Sequence, residues 1–138
     1  MIAATEDQST GIAWSNITST LVGTDRAYGT GAANTTKIIA QAGHSSSAAK
    51  VCADYTVTVN SVTYDDWFLP STDELDKLYL NKVTIGGFAG SYYWSSSEVG
   101  FASPEMDATN ASCQTFYAGG VGFCSKGSNL RVRAVRDF

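Results

Sequence analysis

The spacing of apolar positions changes character once along the chain, beyond "TIGGFAG" at residues 84–90. Before that point helical spacing dominates. In "GAANTTKIIAQAG", Asn34 and Thr35 stand as capping residues ahead of Ile38, Ile39 and Ala42, and Gly43 supplies a stop, so a short helix is predicted. "SSSAAKVCADY" repeats the scheme behind a serine cap, with Ala49, Val51, Cys52 and Tyr55 facing inward. "YTVTVNSVTYDDWFLP" alternates β-branched and polar residues about Asn60 and Ser61, the pattern of a hairpin or of a strand broken by a turn. In "PSTDELDKLYL", Ser71 and Glu74 form an S-x-x-E capping box, Asp73 favours the positive helix end, and Leu75, Leu78 and Tyr79 make an apolar stripe.

Beyond residue 90 the pattern is strand-like. Tyr92, Tyr93 and Trp94 open a strand; "CQTFYA" and "VGFCSK" flank Gly119 and Gly120, a two-residue hairpin turn; "LRVRAVR" supplies the last strand. Helices followed by an antiparallel sheet make the class α+β. With that turn, Thr115 lies opposite Cys124 and Cys113 is only its diagonal neighbour. Diagonal neighbours sit roughly 7 to 8 Å apart, at or beyond the reach of a disulfide. No bridge is expected in this register, although a bulge would restore one.

Composition narrows the class. The 138 residues are 43% hydrophobic and only 16% charged, which suits one core and one domain spanning residues 1–138. No repeat or linker interrupts it. A net charge of -4 argues against nucleic acid, whose phosphates need clustered cations. Yet no acid falls between Asp107 and Asp137, while Lys126, Arg131, Arg133 and Arg136 do, so this interval forms either a local basic surface or a set of ion pairs with carboxylates packed beside it. No segment approaches the apolar length needed to cross a bilayer, so no direct membrane insertion is expected, and "MIAATEDQSTG" lacks a signal pattern, so an exported form would have carried its signal upstream. Cys52, Cys113 and Cys124 show no metal-ligand spacing, and His44, the one histidine, reads as a loop or helix-flanking residue. No metal or cofactor is expected, and Cys52 reads as a small buried hydrophobe.

"DDWFLPSTDEL", "YYWSSSE" and "LRVRAVRDF", with "EDQSTGIAWS" and "GTGAANTTKIIAQAG", resemble the C-terminal C-type-lectin-like domain of bacterial collagen-like adhesins and the closely similar variable proteins of diversity-generating retroelements. The resemblance covers nearly the whole chain. It implies a C-type-lectin-like fold, two or three short helices beside a small twisted antiparallel sheet, with a long irregular segment, here residues 99–130, displaying the binding surface. It implies a non-catalytic module, extracellular or at the surface of a bacterium or phage, that binds a cell-surface glycan such as a sulfated glycosaminoglycan, or a protein. The alternative is a head that trimerises a collagen-like or fibrous stalk and binds no ligand. Formylglycine-generating enzymes share the broad fold, but the cysteine geometry expected here does not suit their chemistry.

The resemblance also divides residues 113–136. Gln114, Phe116, Gly119, Lys126, Arg131, Val132, Arg133, Val135 and Arg136 occupy slots that the family holds fixed; Thr115, Tyr117, Ala118, Val121, Phe123, Ser125, Ser128, Asn129 and Leu130 are the display. Adenine randomisation in a retroelement does not readily yield Gln, Glu, Lys, Met or Trp, and none of the display residues is one of these. The candidate ligand-binding set is Phe101, Thr115, Tyr117, Val121, Phe123, Ser125, Lys126, Ser128, Asn129 and Leu130. Tyr117 is expected to be exposed, while Phe123 either faces a ligand or packs opposite Phe116, as the simple register requires.

Three departures from the family carry consequences. Relatives begin with an apolar strand and a Gly-rich turn that this chain lacks, so "LRVRAVR" is expected to lose its customary neighbour and expose backbone groups. Ser112 stands where a tryptophan is common, and the stretch from Val99 to Cys113 is longer than usual, so an additional loop is expected there. Glu105, Asp107 and Asn110 offer oxygen ligands, but "SPEMD" does not match the motifs of calcium-using lectins of this fold, and no calcium site is expected. Trp67 and Trp94 belong to signature motifs and are expected in the core, with Trp14 either core or sugar platform. Glu98 is expected to pair with Arg133 or Arg136.

Overall fold

The computed structural model describes residues 1–100 and 103–138. In chain order the elements are β1 (Ile2–Ala3), β2 (Ser9–Ile12), α1 (Gly31–Ile39), α2 (Ala48–Ala53), β3 (Val57–Val59), β4 (Val62–Tyr64), α3 (Thr72–Leu80), α4 (Lys82–Ile85), β5 (Tyr92–Glu98), α5 (Pro104–Thr109), β6 (Asn110–Thr115), β7 (Val121–Ser125), β8 (Leu130–Val132) and β9 (Val135–Arg136). The class is α+β, and helices beside a small sheet give the C-type-lectin-like arrangement that the resemblance implies.

Capping decides where several helices begin. Ser71 Oγ accepts from the Glu74 amide while Glu74 Oε1 accepts from the Ser71 amide, completing the capping box of α3. Ser47 caps α2 through the Lys50 amide. In α1, by contrast, Asn34 and Thr35 are not caps. The helix starts earlier, at Gly31, where an added Cβ would collide with Glu74 Oε1 and the Leu69 carbonyl, and it ends before Gly43. Asn34 and Thr35 are buried within it, Asn34 bonding Asp25 and Ser96 while Thr35 accepts from the Leu69 amide. The predicted hairpin is β3–β4, turned by Asn60 and Ser61 at φ 50° and 65°.

Among the described residues, the main sheet has the order β2-β8-β5-β6-β7. It is mixed, not wholly antiparallel, because β5 and β8 run parallel, with Tyr93 beside Arg131. Residues 126–129 produce this: they carry the chain from the end of β5 back toward its start before β8 begins. Nor does "LRVRAVR" lack neighbours. Its first half, β8, lies between β2 and β5; its second, β9, pairs with β1, and Val135 also bridges Phe68. Residues 2–12 supply the partner whose loss was expected.

Alternation along β5 serves two cores. Trp94 enters one with Trp14, Ile38, Leu69, Ala49 and Cys52, beside α1 and α2. Tyr93 enters the other with Phe68, Leu75, Leu78 and Phe116, beside α3. Trp14, Trp67 and Trp94 are all buried, so Trp14 is core and no sugar platform. Ser95, Ser96 and Ser97 follow, buried and hydrogen-bonded: Ser95 Oγ donates to Ser112 O, the Ser96 amide to Pro70 O, and Ser97 Oγ to Asp25 O. Small hydroxyl side chains let the strand run covered on both faces with its polar groups satisfied.

Candidate ligand-binding surface

The hairpin β6–β7 closes differently from the two-residue turn predicted for it. Gln114 lies opposite Val121, Ser112 opposite Phe123 and Ala111 opposite Cys124, so the loop runs from Phe116 to Gly119. Phe116 sets this loop. Its ring turns into the α3 core with centroids 4.6 Å from both Tyr93 and Phe88, and its amide donates to Ser91 O. The chain then needs a left-handed residue to return, and Gly119 supplies φ +84° with its Cα against the Tyr79 ring. The Gly119 amide donates to Thr115 O, the Thr115 amide to Gly120 O, and Gln114 Nε2 to Gly119 O and Asp76 Oδ1.

On this fixed base Tyr117 is 81% exposed. Beyond it β7 alternates, Gly122 and Cys124 facing inward, Val121, Phe123 and Ser125 outward and exposed. The alternative placement of Phe123 opposite Phe116 does not occur, since Ser112 takes that place.

Cys113 and Cys124 are bridged, contrary to the expectation from the simple register. They remain diagonal neighbours, but the longer loop shifts the register so that Cys124 faces Ala111 and the other diagonal is used. Strand twist makes the two diagonals unequal. The Cα atoms are 6.1 Å apart, within disulfide reach.

At the end of β7 the chain is pinned again. Lys126 is fully buried, its Nζ 2.7 Å from Glu98 Oε2 and 3.0 Å from Thr20 O, over the Trp14 ring. Glu98 also accepts from the Val22, Gly23 and Thr24 amides. Glu98 therefore pairs with Lys126 and not with either arginine expected for it. A comparison with protein families matches residues 3–136 to the Lcl C-terminal domain. The chain belongs to that family. No curated protein matches it.

Membership in the Lcl C-terminal domain family makes the chain an adhesin-type module. Within this Lcl domain the sequence-derived site residues separate into groups. Tyr117, Val121, Phe123, Ser125 and Asn129 are exposed; Thr115, Ser128 and Leu130 are half-buried, Leu130 packing against the first core. Lys126 is corrected to a buried structural cation. Phe101 lies outside the described residues. The stretch expected to hold an additional loop contains α5, capped by Ser103; there Gly100 N donates to Asp107 Oδ1 and Asn110 Nδ2 to Met106 O.

The local basic surface resolves into ion pairs. Arg131 and Arg133 both hold Asp7, Arg136 holds Asp66, and Lys126 holds Glu98. What sequence reading did not reach is a groove of about 490 Å³ beside Tyr117, lined also by Lys82, Val83, Gly86, Gly87 and Gly90. Val83 is 90% exposed. No motif marked it, because α4 and the glycines meet Tyr117 only through the tertiary fold. A separate apolar concavity of about 400 Å³, walled by Ile2, Tyr55, Val57, Tyr64 and Trp67, shares no residue with the β6–β7 hairpin.

Proposed function

We propose that this domain is a non-catalytic binding head at a cell or phage surface. Its ligand docks on Tyr117, the groove beside it, and the outward row Val121, Phe123 and Ser125. The observation that carries this reading is Tyr117 itself, 81% exposed between Phe116, which is buried, and Gly119, which is locked against Tyr79. A large aromatic standing in water on a rigid base contributes contact area at little entropic cost.

Exposed aromatic and aliphatic side chains suit a protein ligand. A sulfated glycosaminoglycan draws less support, because the four cations of the C-terminal interval are all engaged in ion pairs, sharing the carboxylates of Asp7, Asp66 and Glu98. Cysteine catalysis also draws little support: burial pushes the Cys52 thiol up, and Cys113 and Cys124 are joined. The same geometry suits diversification by a retroelement, which a near-identical downstream copy of the DNA for residues 92–136, differing at adenines, would demonstrate.

The test is an array of cell-surface proteins and glycans probed with the wild type and with Tyr117→Ala. Binding to a protein that Tyr117→Ala abolishes at unchanged melting temperature supports the reading. No ligand, or a ligand indifferent to Tyr117, refutes it, and tight retention on heparin lost only at high salt would return the ligand to the sulfated glycans.

A further inference from the structure

The display strand β7 is an edge strand whose one substantial neighbour, among the described elements, is β6. An edge strand is ordinarily held by the apolar side chains it buries. Here the inward positions are Gly122, which has no side chain, and Cys124, while the residues with bulk point outward. The space above Gly122 is taken by Cys113 Sγ, 3.8 Å from where a Cβ would stand. The sulfur bridge thus fills the place that inward side chains of β7 would otherwise occupy. Cys113 itself is 1% exposed and packed in the first core, so the bridge ties the strand to the buried part of the sheet.

We infer that the Cys113–Cys124 disulfide is the anchor of the display strand, so that reduction releases β7 while the two cores stay folded, and the surface keeps its shape only under oxidising conditions. The anchor acts from the inward positions of β7, on the opposite face from Val121, Phe123 and Ser125. The consequence for ligand binding rests on the docking surface proposed above; the consequence for β7 does not.

The chemistry requires a dithiol reductant. Its thiolate attacks Cys124 Sγ, the more accessible sulfur, and the S–S bond breaks to leave Cys113 as a thiolate that takes up a proton. The second thiol of the reductant then displaces Cys124 from the mixed disulfide. Two electrons have passed to the cysteines, and the reductant departs as a cyclic disulfide. Cys52, fully buried, stays outside the exchange.

Hydrogen exchange read by mass spectrometry on the whole chain, before and after dithiothreitol, tests the inference without any ligand. The expected result is exchange about tenfold or more faster in residues 121–125, with α1 and α3 unchanged. Cys113→Ala/Cys124→Ala, made without reductant, should reproduce that local change. Unchanged protection of β7 after reduction overturns the inference, as does an equal loss in α1 and α3, which would make the bridge a support of the whole fold. A change confined to β7 together with undiminished capture by an array-selected protein upholds the anchor and refutes the docking surface.

Discussion

Lys126 Nζ lies 2.7 Å from Glu98 Oε2, and both side chains are buried. The pair joins the residue after the display strand to the last residue of β5. Through the Val22, Gly23 and Thr24 amides on Glu98, and Thr20 O on Lys126, it also fastens the loop that precedes α1. Lys126→Met should leave that carboxylate buried without its cation and cost about 3–5 kcal/mol. Urea denaturation checks this, and adding Glu98→Gln should recover part of the loss, since the two positions act as one unit.

Acid should weaken the same joint. Burial pushes the Glu98 carboxyl up, but the hydrogen bond from Lys126, the Val22 amide, the Lys126 charge and the Thr24 amide together carry it below its ordinary 4.5. A carboxyl depressed in the folded state contributes stability that is full above its unfolded pKa and lost as pH falls through the folded one. The urea midpoint should therefore show this contribution intact above about pH 5 and lose it progressively below about pH 4. The Glu98→Gln/Lys126→Met variant should show a shallower acid decline; an equal decline would remove Glu98 from the explanation.

Asp7 is the second electrostatic joint. It accepts from the Tyr93 hydroxyl and both Arg131 and Arg133, while the buried Arg133 guanidinium also donates to Ala4, Gly86 and Gly87 carbonyls and lies over the Phe88 ring. Burial is the main reason the Tyr93 phenol is pushed up to about 12, with Asp7 adding to it. Asp7→Asn keeps the shape and removes the charge, stranding Arg133. A loss of about 3–5 kcal/mol is expected in chemical denaturation.

Neighbouring aromatics should behave oppositely. Phe116→Ala opens a cavity among Tyr93, Phe88 and Tyr79 and should cost about 3–5 kcal/mol. Tyr117→Ala should stay within about 0.5 kcal/mol of wild type, as surface changes do. Thermal melting of the two variants side by side measures the contrast.

How far the sequence disclosed this arrangement varies by element. The capping box at Ser71 and the Asn60–Ser61 turn were legible because their residues make the structure locally. Asn34 looked like a cap because its side chain competes for backbone groups, and only the tertiary fold shows that it spends those bonds on Asp25 and Ser96. The hairpin register was misread because two glycines advertise a tight turn, while the burial of Phe116, which ends β6 early, depends on α3 and Phe88. The disulfide expectation fell with that register. Ion partners for Lys126, Arg133 and Arg136 come from residues 28 to 126 positions away, beyond any local pattern. Tyr117 was legible as exposed because it belongs to no framework motif; the groove beside it was not.

The central claim is that a rigid frame carries a freely variable face. A saturation scan of residues 114–130, scoring folded surface expression of every single substitution, tests it most directly. The account predicts broad tolerance at 117, 118, 121, 123, 125 and 129, and intolerance at Gln114, Phe116, Gly119, Lys126 and the core-packed Leu130. If substitutions at Tyr117 and along the outward row of β7 unfold the domain as often as those at Phe116 and Lys126, the face is part of the core and the account is wrong.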